Sequence, residues 1–297
     1  TLPLLVRFCS EGRSEVGPIV GTLYGINTVG AALGCFAAGY WMLEAFGIAA
    51  TNRAAAGIDL LLAVAAVTLA FKLGPAPETS EEHPRAAAAE DAEVPHPSHP
   101  RRVLPWIAFA TGLAGLSCEV LWTRYLVFFN NVHYVFTTIL VLFLLGLGLG
   151  SLLYRLLLAG RTDPLKLLSR MLLLLAVTVP ASFALGAYLY SSGHLSLDRY
   201  CVKAAALTMA VPTVLMGAVF PVICAAYVPE LRRAGRGVGT LAALNTAGAV
   251  VGALLPAFVF VPLFGVHHSI LLMSGLYLAM GPVSYTHLRA HETDSYL

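Results

Sequence analysis

Residues 139–149 read ILVLFLLGLGL and contain no polar side chain. They lie within a predicted span over residues 135–157, and about 20 apolar residues suffice for a helix to cross a hydrocarbon core of about 30 Å. Because backbone polar groups in lipid must bond within their own segment, such a run predicts a helix. A transmembrane barrel would instead need alternating segments of about ten residues, which this continuous run does not resemble.

The composition of the whole chain agrees with a membrane protein. Hydrophobic residues make up 58% and charged residues 11% of the chain, and the mean hydropathy is +0.78, whereas soluble domains carry about 25% charged residues. A net charge of +2 does not favour a nucleic-acid partner. The five cysteines form no CxxC pair and are interpreted as small apolar packing residues. With no catalytic or metal-binding motif, the sequence predicts neither an enzyme nor a cofactor for this chain.

Eight apolar runs predict eight membrane spans, separated by polar loops. The longest polar segment, residues 74–102, is rich in Pro, Glu and Ala and is predicted to be a solvated, disordered linker. It divides the end of a first membrane repeat, residues 1–73, from a second, residues 103–282. The predicted spans are residues 20–46, 54–71, 104–122, 135–157, 167–190, 204–228, 239–264 and 269–281.

The chain contains an internal sequence repeat: GTLYGINTVGAALG at residues 21–34 and GTLAALNTAGAVVG at residues 239–252. A shift of 218 residues aligns residues 17–47 with 235–265 without a gap and matches 12 of 31 positions. An even number of predicted spans, six, separates the start of the first copy from the start of the second, so both copies run in the same direction. Parallel repeats of this kind relate the halves of major facilitator transporters. The sequence therefore predicts an all-α polytopic membrane helix bundle built from two parallel repeats.

The distribution of Lys and Arg predicts the orientation. If the linker is inside, 13 of the 18 basic residues fall in inside loops, four fall outside, and Arg289 lies in the C-terminal tail. The positive-inside rule then places the linker in the cytoplasm. We expect an integral protein of the bacterial inner (plasma) membrane, with the lipid bilayer as its first partner.

The two ends of the chain suggest a fragment. Pro3 aligns with Pro221 at the same 218-residue shift, so the chain is expected to start inside the fourth helix of its first half. At the other end, VSYTHLRAHET at residues 283–293 is polar and resembles a translated transposon-type sequencing adaptor. Residues 283–297 are therefore interpreted as an artefact. The alternative is a genuine polar tail.

Three charged residues are candidates for a substrate path. Glu119 lies about 15 residues, or roughly 22 Å, into its predicted span, where a carboxyl group needs a partner. Arg124 follows at i+5 and either approaches Glu119 or extends outward beside an interfacial Trp122. Glu119 has two open interpretations, a functional polar site and a structural anchor near the helix end. Asp59 lies about four residues inside its span, within reach of the outer interface.

Asn27 and Asn245 occupy matching positions of the repeated helix. Asn amides form hydrogen bonds across helices in lipid, worth about 0.6 to 2 kcal/mol. Two symmetry-related amides can also line a central cavity. Both interpretations, helix packing and substrate path, remain open for this pair.

Small residues four apart predict close helix packing. The alternating glycines of residues 146–151 would suggest a phosphate loop in another setting, but they lie inside an apolar span and not between a strand and a helix. Packing is the interpretation for Gly30, Gly34, Gly146, Gly150, Gly248 and Gly252.

Four motifs together carry a family resemblance: SCEVLWTR at residues 117–124, FLLGLGLGS at 143–151, MGAVFP at 216–221 and GTLAALNTAG at 239–248. Their order and spacing resemble the membrane region of fused major-facilitator/spermidine-synthase proteins across residues 1–282. The resemblance implies a transporter-like region of twelve or more helices. It also implies that a cytosolic domain resembling polyamine aminopropyltransferases often follows. This chain ends before any such domain, so no catalytic residue is carried over.

Two functions fit these observations. In the first, the two halves enclose a path for a small-molecule substrate, such as a polyamine or a related metabolite. In the second, the bundle is a membrane anchor or scaffold for a fused cytosolic synthase-like domain and transports nothing. A dication would need several acidic groups along its path, and the sequence offers Glu119 and Asp59. This scarcity favours the anchor, whereas the parallel repeat favours the transporter.

Overall fold

The structure is a computed structural model that describes residues 5–6, 16–73, 99–129, 134–192, 202–228 and 234–294. Within these ranges the chain is helical, with short turns and no strand, so the all-α prediction is confirmed. Three π-helical turns, Ala38–Met42, Tyr154–Leu158 and Pro256–Phe260, directly follow α-helices. The α-helices are α1 (Val16–Ala37), α2 (Leu43–Leu73), α3 (His99–Phe129), α4 (Val135–Leu153), α5 (Pro164–Ser191), α6 (Val202–Tyr227), α7 (Ala234–Leu255) and α8 (Val261–Asp294).

Six helical stretches are long and apolar enough to cross a membrane. Four of them each correspond to one predicted span. The other two are longer, 54 and 48 residues, and each covers two predicted spans. The chain is therefore a helical integral membrane protein in its described part. The stretches are Val16–Leu69, Val103–Val127, Val135–Leu158, Pro164–Ser191, Val202–Tyr227 and Gly235–Pro282.

The two longest stretches are each broken at one glycine. Gly47 has φ 74° and ψ 173°, and Gly265 has φ 73° and ψ 171°. Residues with a Cβ rarely adopt this conformation, so both breaks depend on glycine. Four residues after each break, a hydroxyl donates a hydrogen bond to the glycine carbonyl, at 2.8 Å from Thr51 Oγ1 and at 2.6 Å from Ser269 Oγ.

The chain divides into two compact units. The first comprises Thr1–Phe36 and Ser98–Leu297, and its helices pack mainly in the pairs α3 with α7, α4 with α6, and α5 with α8. The second is Ala37–Pro97. Its helix α2 leaves large apolar side chains such as Leu61 exposed, as expected of a surface that faces lipid.

Glycines bring α4 and α6 into backbone contact. A Cβ on Gly150 would lie 1.9 Å from the Val214 carbonyl oxygen, and one on Gly217 would lie 2.1 Å from that of Leu147. A Cβ on Gly146 would lie 2.0 Å from Thr213 Oγ1. Since no side chain fits in these spaces, the two helices meet through their backbones.

The α3–α7 pair crosses in the same way. A Cβ on Gly248 would lie 1.9 Å from the Phe109 carbonyl oxygen, and one on Gly252 would lie 2.1 Å from that of Leu113. Ser117 Oγ then donates a hydrogen bond of 3.0 Å to the Gly252 carbonyl. The Ser117 hydroxyl is thus satisfied between helices, as the apolar surroundings require.

Gly30 and Gly34 differ from these packing glycines. A Cβ on either would meet no described atom within 4 Å. Their spacing matches that of Gly248 and Gly252, but here it brings no neighbouring helix of the described chain into contact.

Trp122 lies inside the bundle and is fully buried, and not at the membrane interface beside Arg124 as its sequence context predicted. Its Nε1 donates a 3.2 Å hydrogen bond to Ser182 Oγ, and its ring stacks on Phe183 with centroids 5.6 Å apart. The side chain therefore joins α3 to α5 instead of facing lipid.

Two regions predicted from the sequence are described little or not at all. Residues 74–98 of the predicted linker lie outside the described residues, while 99–102 begin α3. In the C-terminal tail, the backbone continues as helix to Asp294.

Candidate polar site on helix α3

Glu119 lies on α3 and is half-buried. The helix positions it between two packing residues, Ser117 and Leu121, which are both fully buried. Its backbone carbonyl accepts a 3.0 Å hydrogen bond from Thr123 Oγ1. The carboxylate itself has no hydrogen-bond or ion-pair partner among the described residues. It is therefore an acidic group in an apolar helix that is free to bind a cation or a donor.

Cys35 of α1 has a half-buried thiol on which the charge of the Glu119 carboxylate acts electrostatically. Cys35 was predicted only as a packing residue. Its electrostatic interaction with Glu119 could not be predicted from spacing, because α1 and α3 are far apart in the chain.

Arg124 does not pair with Glu119. The Arg124 side chain is exposed, and the one ion pair among the described residues joins Lys166 to Asp163 at 3.7 Å. Arg124 instead lines a cavity at the side of the bundle, where His267 is its basic neighbour. The described structure therefore lacks the predicted pairing of Arg124 with Glu119.

The two asparagines of the repeat have different surroundings. Asn27 is exposed on α1, whereas Asn245 is half-buried on α7. The backbone of Asn245 packs on Gly112 of α3, where a Cβ would lie 2.0 Å from the Asn245 carbonyl oxygen and 3.0 Å from Oδ1. Asn245 thus lies where α7 crosses α3, the helix that carries Glu119. The crossing at Gly112 lies about two turns before Glu119 along α3.

Asp59 belongs to the second unit and is exposed on α2. Exposed leucines follow it at residues 60–62. The Asp59 carboxylate has no ion-pair partner among the described residues. Within the first unit, Asn245 lies at the crossing of α7 with α3, the helix that carries Glu119.

The described residues define a helical membrane protein with a partly enclosed carboxylate. They contain no group of three His, Cys, Asp or Glu side chains that could hold a metal ion. No protein-family model matches the chain, and no curated protein or solved structure is significantly similar to it.

Proposed function

We propose that this chain is the membrane region of a fused major-facilitator/spermidine-synthase protein, and that its two halves enclose a path for a small cationic metabolite such as a polyamine. The support comes from three sources: the four sequence motifs, the repeated helix geometry and the carboxylate of Glu119. We further propose that it lies in a bacterial inner membrane with residues 74–102 in the cytoplasm, as the charge asymmetry favours.

The observation that carries the proposal is that the helices of the two sequence copies begin at matching positions. Helix α1, its π-helical turn and the start of α2 begin at residues 16, 38 and 43, and α7, its π-helical turn and α8 begin at 234, 256 and 261. Each pair differs by 218 residues, the shift that aligns the sequences. The helix breaks at Gly47 and Gly265 are also 218 residues apart, as are the hydroxyl residues that follow them, Thr51 and Ser269. Two copies of one folded unit explain all of these matches together.

The repeat supports eight spans, two more than the six apolar stretches. A helix of 54 residues would be about 80 Å long, more than twice the hydrocarbon thickness. In our proposal each long stretch crosses the membrane twice, on either side of its glycine break. The two copies then run in parallel, as the halves of major facilitator transporters do.

Glu119 is the proposed substrate contact. An isolated charge at the centre of a span costs about 2.5 to 3.5 kcal/mol on insertion scales. A water molecule, a cation or a cationic substrate group beside this carboxylate would lower that cost. Asn245 adds a polar side chain at the crossing of α7 with α3, about two turns before Glu119.

The anchor hypothesis remains the second candidate because acidic groups are scarce. In the described membrane-length stretches, the acidic residues are Glu44, Asp59 and Glu119, and the first two are exposed. A dication bound by one carboxylate would retain an unpaired charge. In the anchor, Glu119 would stabilise the bundle and have no transport role.

Transport by the complete protein in proteoliposomes separates the two candidates. Glu119→Gln retains shape and polarity but removes the charge, and Glu44→Gln removes an exposed charge as the matched control. If Glu119 binds the substrate, polyamine uptake falls at least about tenfold in Glu119→Gln, the loss of one charge-assisted contact. The control should retain wild-type uptake. Wild-type transport by a well-expressed Glu119→Gln protein would remove Glu119 from the mechanism, and no uptake of any metabolite by the wild type would favour the anchor.

A further inference from the structure

A cavity of about 510 Å³ opens at the side of the bundle between α3, α5 and α8. Its volume lies in the range of about 300 to 1,000 Å³ that is usual for small-ligand sites. It is separate from the Glu119 site, because Glu119, Cys35 and Asn245 are not among the residues that line it.

The walls of the cavity are almost entirely apolar. On α5 they include Phe183, Ala184 and Ala187, and on α8 they include Ile270 and Leu271. The two alanines are one turn apart, so together they leave a gap where larger side chains would close the wall. Such a space fits a hydrocarbon chain, whereas a hydrophilic solute would lose its hydration without replacement.

The cavity lies near the ends of its helices. Arg124 is five residues before the end of α3 at Phe129, about 7.5 Å along the axis. His267 follows the helix break at Gly265 by two residues. At helix ends of this kind, a membrane protein meets the phosphates of the lipid headgroups.

Both basic side chains at the cavity are available. Arg124 and His267 are exposed, and Arg124 has no hydrogen bond or ion pair within the described part of the chain. No acidic side chain is among the described residues that line the cavity. A guanidinium group binds phosphate through two parallel N–H···O bonds. An ammonium headgroup, in contrast, would meet two basic groups and no carboxylate.

We infer that this cavity binds one anionic phospholipid, with an acyl chain between α5 and α8 and the phosphate at Arg124. The apolar walls account for the acyl chain, and the charge of the rim selects an anionic headgroup over a zwitterionic one. The site is independent of the proposed transport path, because it needs only the α3, α5 and α8 contacts of the first unit.

The test is lipid retention by the whole purified chain, measured by native mass spectrometry after delipidation. The protein is offered equal amounts of dioleoyl phosphatidylglycerol and dioleoyl phosphatidylcholine. Wild type should retain one phosphatidylglycerol in preference to phosphatidylcholine. Both lipids offer a phosphate to Arg124, but only phosphatidylcholine also brings a fixed cation to a rim that has no described carboxylate. Arg124→Gln should lose the preference, while Arg155→Gln, an exposed arginine away from the cavity, should keep it.

A second pair of variants tests the acyl-chain site. Ala184→Phe should fill the cavity and abolish retention of both lipids, whereas Ala181→Phe, on the same helix but outside the cavity lining, should behave as wild type. If Ala184→Phe fails to fold, the Arg124→Gln comparison still decides the headgroup. Equal retention of the two lipids by wild type, or an unchanged preference in Arg124→Gln, would overturn the inference.

Discussion

Gly150 provides a quantitative test of the α4–α6 crossing. In Gly150→Ala the new Cβ would lie 1.9 Å from the Val214 carbonyl oxygen, while ordinary contacts begin at 3.4 Å. The helices must therefore separate locally by about 1.5 Å, and both contacting groups belong to rigid backbone. Overpacking costs typically about 1 to 3 kcal/mol, and two rigid backbones place this case at the upper end. Since alanine gains about 1 kcal/mol of helix propensity over glycine, we expect a net destabilisation of about 2 kcal/mol.

Gly30→Ala is the matched control for this experiment. Gly30 is also helical, but a Cβ there meets no described atom within 4 Å. The same substitution should therefore leave stability unchanged or raise it by up to about 1 kcal/mol. Both variants can be compared by reversible unfolding in mixed micelles, with the fluorescence of the buried Trp122 as the signal. Equal stability of Gly150→Ala and Gly30→Ala would refute the backbone contact between α4 and α6.

Three further predictions concern the helix break at Gly265, the hydrogen bond between Trp122 and Ser182, and the orientation of the chain in the membrane. Gly265→Ala should destabilise the protein by about 1 to 3 kcal/mol because its positive φ suits only glycine; Gly275→Ala, where a Cβ would meet no described atom within 4 Å, should not. Thermal unfolding in detergent measures both. Trp122→Phe and Ser182→Ala should show a coupling energy of about 0.5 to 1.5 kcal/mol in a double-mutant cycle, because they share one hydrogen bond; additive effects would contradict that contact. Ser80→Cys should react with impermeant thiol reagents only after the cells are opened, and labelling in intact cells would reverse the predicted orientation.

Helix positions were predictable because they depend on local composition. The run of apolar residues predicted a span over 167–190, and α5 is Pro164–Ser191. The start of this helix has a local cause, since the Asp163 carboxylate accepts a 3.0 Å hydrogen bond from the Leu165 amide and Pro164 occupies the first turn. Such signals lie within a few residues of the boundary they set. The helix break at Gly265 lies between the predicted spans 239–264 and 269–281, but its positive φ was less predictable, because glycines also occur inside the helices of this chain.

The candidate site was predictable only in part. Glu119 was identified from the sequence because acidic residues are rare in apolar runs. The structure places this carboxyl group half-buried on an apolar helix, α3. The electrostatic effect of Glu119 on Cys35 was not predictable, because it depends on how two helices that are far apart in the chain are placed in the fold. The same is true of the cavity at Arg124, whose walls come from three separate segments of the chain.

The sequence by itself determined that this protein is a bundle of apolar helices, because the length and hydropathy of each run decide whether it suits a membrane. It also determined where glycines permit close contact. Only the tertiary structure decided which of them make it: Gly248 and Gly252 pack on α3, while Gly30 and Gly34, with the same spacing in a matching segment, have no described neighbour within 4 Å. The physical reason is that spacing creates a groove on one helix, whereas contact needs a second helix, and the identity of that partner is a non-local property of the fold.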